Sequence, residues 1–183
     1  MADSGAKSAL RERYRRERAE RYIEHSFEYL LSSAEFIGAD VIASYASYGD
    51  EPDTSQLNKA IIAVGKTLLL PRINGVEMDW VKWNGDESSL KKYKKFLEPV
   101  GEPFTGAIDL IVVPALRIDR RGYRLGQGGG FYDRALVKDQ AKISWTIGLI
   151  HPDEISSEDL PIEEWDQPLN AAATPDVIIR FGV

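Results

Sequence analysis

The chain has 183 residues, 43% of them hydrophobic, no cysteine and a net charge of −6. That length suits one domain over residues 1–183, able to bury a core without staples. The lack of cysteine excludes a disulfide framework and a thiol nucleophile, so any chemistry must come from oxygen, nitrogen or a bound metal. So acidic a body argues against general nucleic-acid binding. No apolar run reaches the ~20 residues of a membrane span, and the polar N-terminal stretch without a signal core points to the cytoplasm.

Charge is unevenly spread. Residues 1–22 hold seven Lys or Arg against four Asp or Glu, a surplus of three, which leaves nine excess negative charges for the remainder. The pattern from Lys7 onward is helical, and Lys7, Arg11, Arg15 and Arg18 fall on one face. Such a face either meets something anionic or stays solvated, balanced by Glu12, Glu17 and Glu20. Ile23, Phe27, Leu30, Leu31 and Ala34 then form the apolar stripe of a second helical stretch.

Residues 40–46 read as a buried strand. The turn after it, Tyr48-Gly-Asp-Glu-Pro-Asp-Thr54, is rich in carboxylates. Asp53 or Thr54 suits the cap of a helix over 55–64, whereas Glu51 precedes a proline and so lies in an extended turn off the strand. Residues 66–70 predict a strand ended by Pro71-Arg72, with Arg72 either a substrate or phosphate ligand or a surface arginine. Residues 77–83 alternate and predict a further strand in a hairpin. The lysine-rich Leu90-Lys-Lys-Tyr-Lys-Lys-Phe96 reads as a solvated basic turn, with attraction of an anionic ligand as the alternative.

The most apolar run, 109–114, predicts a central strand buried on both faces. About fifteen residues then pass before the next helix, a length usual for binding loops. They end in Gly126-Gln127-Gly128-Gly129-Gly130, where missing Cβ atoms let backbone N–H groups turn toward an anion at the start of a helix over 131–139. Arg124 and Arg134 add positive charge, and Asp133 offers the hard oxygen that Mg²⁺ prefers beside a nucleotide phosphate. Phe131 stands where a dinucleotide fingerprint needs a third glycine, and no Gly-Lys-Ser/Thr closes a Walker loop, so neither common phosphate motif applies. Residues 144–150 predict a strand followed by His151, read as a turn or surface residue, and 176–181 a last strand. The element order implies a single three-layer α/β domain with a mostly parallel sheet, a Rossmann-like open twist and N-terminal helices. Glu51, Arg72, the glycine loop and His151 all follow strands, which suggests one shared cleft at the strand C-termini.

Asp109-Leu-Ile-Val-Val-Pro114 followed by Arg124-Leu-Gly-Gln-Gly-Gly-Gly-Phe-Tyr-Asp-Arg134 resembles the signature of the 5-formyltetrahydrofolate cyclo-ligase family. Lys7, Arg11, Glu51-Pro-Asp-Thr54, Leu70-Pro-Arg72 and the tail from Leu160-Pro161 through Asp166 extend the likeness. The resemblance implies an ATP- and Mg²⁺-dependent ring closure of a small-molecule folate, and the chain is expected to be a monomer. It places Lys7, Arg11, Arg124, Gly126, Gln127, Gly128, Gly129, Gly130, Phe131 and Tyr132 at ATP, with Arg124, Tyr132 and Asp133 as catalytic residues. Ala46, Glu51, Arg72, Tyr93, Phe96 and residues 128–131 would contact the folate, and Asp133 and Asp166 the metal. The family's aromatic followed by Gly-Ile, ahead of Glu98-Pro99, is replaced here by Lys94-Lys95-Phe96, leaving Tyr93 or Phe96 to make that contact. A related ATP-using enzyme for another heterocycle, or a nucleotide-binding regulator, is the competing expectation.

Overall fold

The computed structural model describes residues 4–182. In chain order it contains α1 (Ser4–Arg21), a 3-10 turn (Glu28–Ser32), α2 (Ala34–Gly38), β1 (Val41–Ala43), α3 (Ser55–Ala63), β2 (Thr67–Asn74) and β3 (Glu77–Trp83). There follow β4 (Lys91–Tyr93), β5 (Phe96–Glu98), β6 (Ile108–Pro114), β7 (Arg117–Asp119), β8 (Arg124–Leu125) and α4 (Phe131–Lys138). The chain ends with β9 (Ile143–Leu149), β10 (Ile155–Ser156), β11 (Ala171–Ala173) and β12 (Ile178–Arg180).

Seven strands form one sheet in the order β12-β11-β9-β6-β1-β2-β3. Neighbours from β2 across to β11 run parallel, while β3 and β12 close the two edges antiparallel. Both faces are buried, which is why the inner strands read as continuous apolar runs. Ile42, Leu68, Leu70, Leu110, Val112, Ile147 and Leu149 pack with Phe27, Leu30, Phe36, Leu57 and Ile61 on one face. Ala43, Leu69, Ile111, Val113 and Ala172 face Ala135 and Leu136 of α4 and the neighbouring side chains on the other. The period-2 alternation of a strand thus divides each run between two cores and gives the three layers.

Several expectations are corrected. The second helical stretch is a 3-10 turn followed by the short α2, and Ile23 of its predicted apolar stripe is exposed. The strand predicted to stop at Pro71 continues to Asn74. Because β1 ends at Ala43, the outer half of β2 has no strand on that side, and an edge tolerates a residue without an N–H. The fifteen-residue loop is not structureless: β7 and β8 form a hairpin, and β10 adds to it in parallel. The basic turn is a two-stranded hairpin, β4 with β5, that bends through Lys94 at a positive φ of 54°. Finally, β11 was not foreseen, since three alanines carry little strand signal.

The charged face of α1 docks on the body of the protein, with only Arg15 of its four cations left exposed. Arg11 Nε donates to Gly126 O at 3.1 Å, and Arg15 donates to Gln127 through Nε to the side-chain oxygen (2.9 Å) and Nη2 to the backbone oxygen (2.7 Å). Arg18 is buried and bidentate to Glu154 at 2.8 and 2.6 Å, with Nη2 also donating to Ala115 O at 2.6 Å. One rank of cations spaced along a helix therefore clamps that helix across the glycine loop and the end of β6.

Gly148 marks the tightest point of the sheet face. A Cβ there would collide with the side chains of Ile118 and Leu169. We expect Gly148→Ala to destabilise the fold by about 2 kcal/mol through overpacking, seen as a lower urea midpoint with an unchanged slope. An unchanged midpoint would contradict this packing.

Candidate functional site

In the parallel part of the sheet, β2 lies on one side of β1 and β6 on the other, so the winding reverses direction between β1 and β6. The crevice beyond the strand C-termini at such a reversal is where open α/β sheets bind ligands. A cavity of about 450 Å³ opens there, with Tyr45, Ala46, Tyr48 and Glu51 entering after β1 and Pro114 at the end of β6.

The glycine loop forms one wall. Gly128 has φ 102° and Gly130 φ 66°, conformations natural only to glycine. Gly130 stands at the N-cap of α4 with no side-chain cap, so first-turn N–H groups stay available to a ligand. Gly126, Gln127, Gly128, Gly129, Gly130, Phe131, Tyr132, Asp133 and Arg134 all line the cavity.

Two ion-paired cations stand in its lining. The Arg124 side chain is 3% exposed and its Nη2 lies 2.5 Å from Asp133 Oδ1, while its Nε is buried without a partner. Lys7, 6% exposed, holds Asp166 Oδ2 at 2.6 Å and Glu163 Oε2 at 2.9 Å. Burial works against the Lys7 ammonium, but its bonds to Asp166 and Glu163 outweigh that, and its pKa lies above the usual value. Each cation is already matched to a carboxylate, so both ends of the charge are in place before any ligand arrives.

Aromatic side chains and a buried carboxylate line another part of the cavity. Tyr48 and Phe96 meet edge to face at 5.1 Å, and Lys95 Nζ lies 4.7 Å over the Tyr48 ring. Glu51 is 6% exposed and accepts from Tyr48 N at 3.2 Å. Burial pushes its carboxyl up to about 7, with that bond and the charges of Arg18 and Lys95 pulling the other way. The Tyr132 hydroxyl is buried with no partner. Burial, with Glu51 adding, raises the Tyr132 hydroxyl far above its ordinary value, so it stays a neutral donor. An anionic group beside the cations and a flat, polar-edged ring beside the aromatic pair and Glu51 is the ligand chemistry these walls suit.

Of the predicted site residues, Lys7, Arg11, Ala46, Glu51, Phe96, Arg124, Asp133, Asp166 and the run 126–132 line this one cavity. Arg72 does not. It alternates away from its neighbours Pro71 and Ile73, which line the cavity, and instead holds Asp79 at 3.2 Å and Gly101 O at 2.6 Å. Tyr93 is 42% exposed and also outside the lining, so of the two candidate aromatics Phe96 is the one at the cavity. His151 lies just past β9 as expected, yet it is buried rather than on the surface and belongs to a separate cavity of about 190 Å³. Its Nε2 lies 2.9 Å from Asp50 O. Sequence reasoning missed Tyr48, Glu163 and Trp165, and reached Lys95 only through the alternative that the lysine-rich turn attracts an anionic ligand. The Glu163-Glu164-Trp165-Asp166 tail carried a hint, since an acidic pair beside a basic N-terminal face invites pairing.

A model of the 5-formyltetrahydrofolate cyclo-ligase family matches residues 5–175. The 5-formyltetrahydrofolate cyclo-ligase of Escherichia coli (strain K12) is 30% identical over 148 residues, covering 76% of this chain and 80% of the relative. That of Mus musculus is 28% identical over 192 residues, covering 96% and 94%. Among solved structures, Aquifex aeolicus 5,10-methenyltetrahydrofolate synthetase superposes with a TM-score of 0.76 at 27% identity, covering 95% of this chain and 92% of that one.

Proposed function

Because the chain belongs to the 5-formyltetrahydrofolate cyclo-ligase family, whose members are ligases, we propose that it closes 5-formyltetrahydrofolate to 5,10-methenyltetrahydrofolate, spending ATP with Mg²⁺ and releasing ADP and phosphate. The observation that carries the reading is a single cavity lined by a glycine cradle, two cations paired with carboxylates, an aromatic pair and a buried carboxylate.

An N-formyl carbonyl is a poor electrophile and its oxygen a poor leaving group. Phosphorylation remedies both. The formyl oxygen attacks the γ-phosphorus and ADP leaves; N10 adds to the activated carbon and loses its proton; phosphate departs with the former formyl oxygen, and the methenyl bridge remains. No covalent protein nucleophile is needed, in keeping with the absence of cysteine. Positioning and charge control are the protein's contribution, as in other phosphoryl transfers.

Lys7, Arg11 and Arg124 neutralise the triphosphate, and the N–H groups of residues 128–131 hold the moving phosphoryl group. Arg124 Nε, buried and unpaired, has a hydrogen-bond donor to give. Glu51 accepts from the donor edge of the pterin, Phe96 and Tyr48 pack on its face, and Tyr132 donates where the two ligands meet. Among the described residues no three acidic or histidine side chains converge into a metal cage, but Mg²⁺ beside a nucleotide needs only one or two carboxylates along with the phosphates. Asp133 and Asp166, both in the cavity lining and each beside a phosphate-seeking cation, fit that demand. The metal would lower the negative charge on the phosphate oxygens.

The test mixes the protein with 5-formyltetrahydrofolate, Mg²⁺ and ATP and follows the ultraviolet band of the methenyl product. ATP-dependent growth of that band is the expected result. Phosphate release only with some other heterocycle, or nucleotide binding without turnover, would overturn the assignment.

A further inference from the structure

We propose that Trp165 is the platform on which the purine ring of the nucleotide stacks. The inference rests on the reading of the cavity as an ATP site and adds to it the location of the base.

Trp165 is one of four tryptophans and the one displayed to solvent. Trp80 and Trp83 are buried and Trp145 half-buried against the core, whereas Trp165 lines the cavity with 57% of its surface exposed. Among the described residues no aromatic ring packs on its indole. A large ring left open at a cavity mouth is a surface that a flat ligand can cover.

The turn beneath it is fixed. Glu163 N donates to Asp166 Oδ2 at 2.7 Å, Asp166 N donates back to Glu163 O at 3.0 Å, and Lys7 Nζ bonds both carboxylates from α1. Trp165 therefore sits between two anchored neighbours, and stacking on it costs little ordering of the backbone.

Which flat ligand it serves follows from where the walls stand. The cavity already has an aromatic face, Tyr48 with Phe96, and it lies beside Glu51. Trp165 is bracketed by the partners of Lys7, the cation assigned to phosphate. Tyr45, Phe131 and Tyr132 also line the cavity but are buried or half-buried, so Trp165 is the exposed ring tied to the phosphate-binding cation and the surface for the base.

The experiment follows tryptophan emission with Mg²⁺ present and no folate. ATP should quench it, tripolyphosphate, which has no base, should not, and Trp165→Phe should abolish the quench while still turning over. In steady state Trp165→Ala should raise the KM for ATP about ten-fold, with the KM for folate nearly unmoved, and Trp165→Phe should restore most of the loss. Quenching by folate alone, or a KM effect on folate in place of ATP, would assign the ring to the folate and overturn the proposal. So would unchanged ATP kinetics in Trp165→Ala, provided the wild type turns over with ATP. A wild type without any ATP-dependent turnover would instead overturn the reading beneath it.

Discussion

Asp133→Ala should lower turnover by more than ten-fold, and by roughly a hundred-fold if the lost carboxylate controls charge on the moving phosphoryl group as oxyanion-type groups do elsewhere. The loss should fall on kcat, and added Mg²⁺ should not restore it. Asp133 is also the partner of Arg124, at 2.5 Å from a side chain that is 3% exposed. Removing it strands a buried guanidinium, so the alanine variant is expected to melt earlier as well. Asp133→Asn separates the two effects, since the amide oxygen still accepts from Arg124 while the charge is gone. The asparagine variant should regain stability and remain slow. Wild-type turnover in both variants would remove Asp133 from the metal and phosphate machinery.

The second large effect belongs to Glu51, whose carboxyl is raised from 4.5 to about 7 by burial. A carboxyl with a raised folded pKa favours the native state only while protonated. Its contribution is therefore complete below pH 4.5 and is lost as pH climbs toward 7. With 1.36 kcal/mol for each pKa unit, the loss amounts to about 3 kcal/mol. Glu51→Gln keeps the shape and removes the titration. It should match the wild type in urea unfolding near pH 4.5 and exceed it by about that amount at pH 8. The same variant should bind folate poorly, because a neutral amide accepts less strongly from ring N–H donors than a carboxylate. Wild-type affinity should rise with pH through the neutral range, since the ligand's donors favour the ionised form, and the glutamine variant should lack that slope. Parallel stability curves for the two proteins would show that Glu51 does not titrate in this range.

What the sequence disclosed divides along physical lines. The β6 strand was legible because burial on both faces demands an unbroken apolar run, and α4 because a glycine cluster must precede it. The run Gly126 through Asp133 lines the cavity as one contiguous block, which is why its residues stand out together in the sequence. Strands of two or three residues, β7, β8, β10 and β11, have too few positions to display a period. Arg72 failed on parity. A strand continuing past Pro71 turns alternate side chains away from the cavity, and only the pairing partner, Asp79, reveals which way Arg72 goes. Lys7 and Arg18 showed a helical stripe but not its purpose, because their partners Asp166 and Glu154 lie 159 and 136 residues further along the chain.

That separation bears on how the protein is made. During synthesis α1 emerges with its cations facing water, and its partners Gly126, Glu154, Glu163 and Asp166 follow only after most of the chain has been translated. Helix formation can be early and local, but docking must wait for the closure of very long loops. The docking of α1 on the pocket therefore cannot be completed until Glu163 and Asp166 have been made, and a nascent chain that stops short of them leaves Lys7 without either carboxylate.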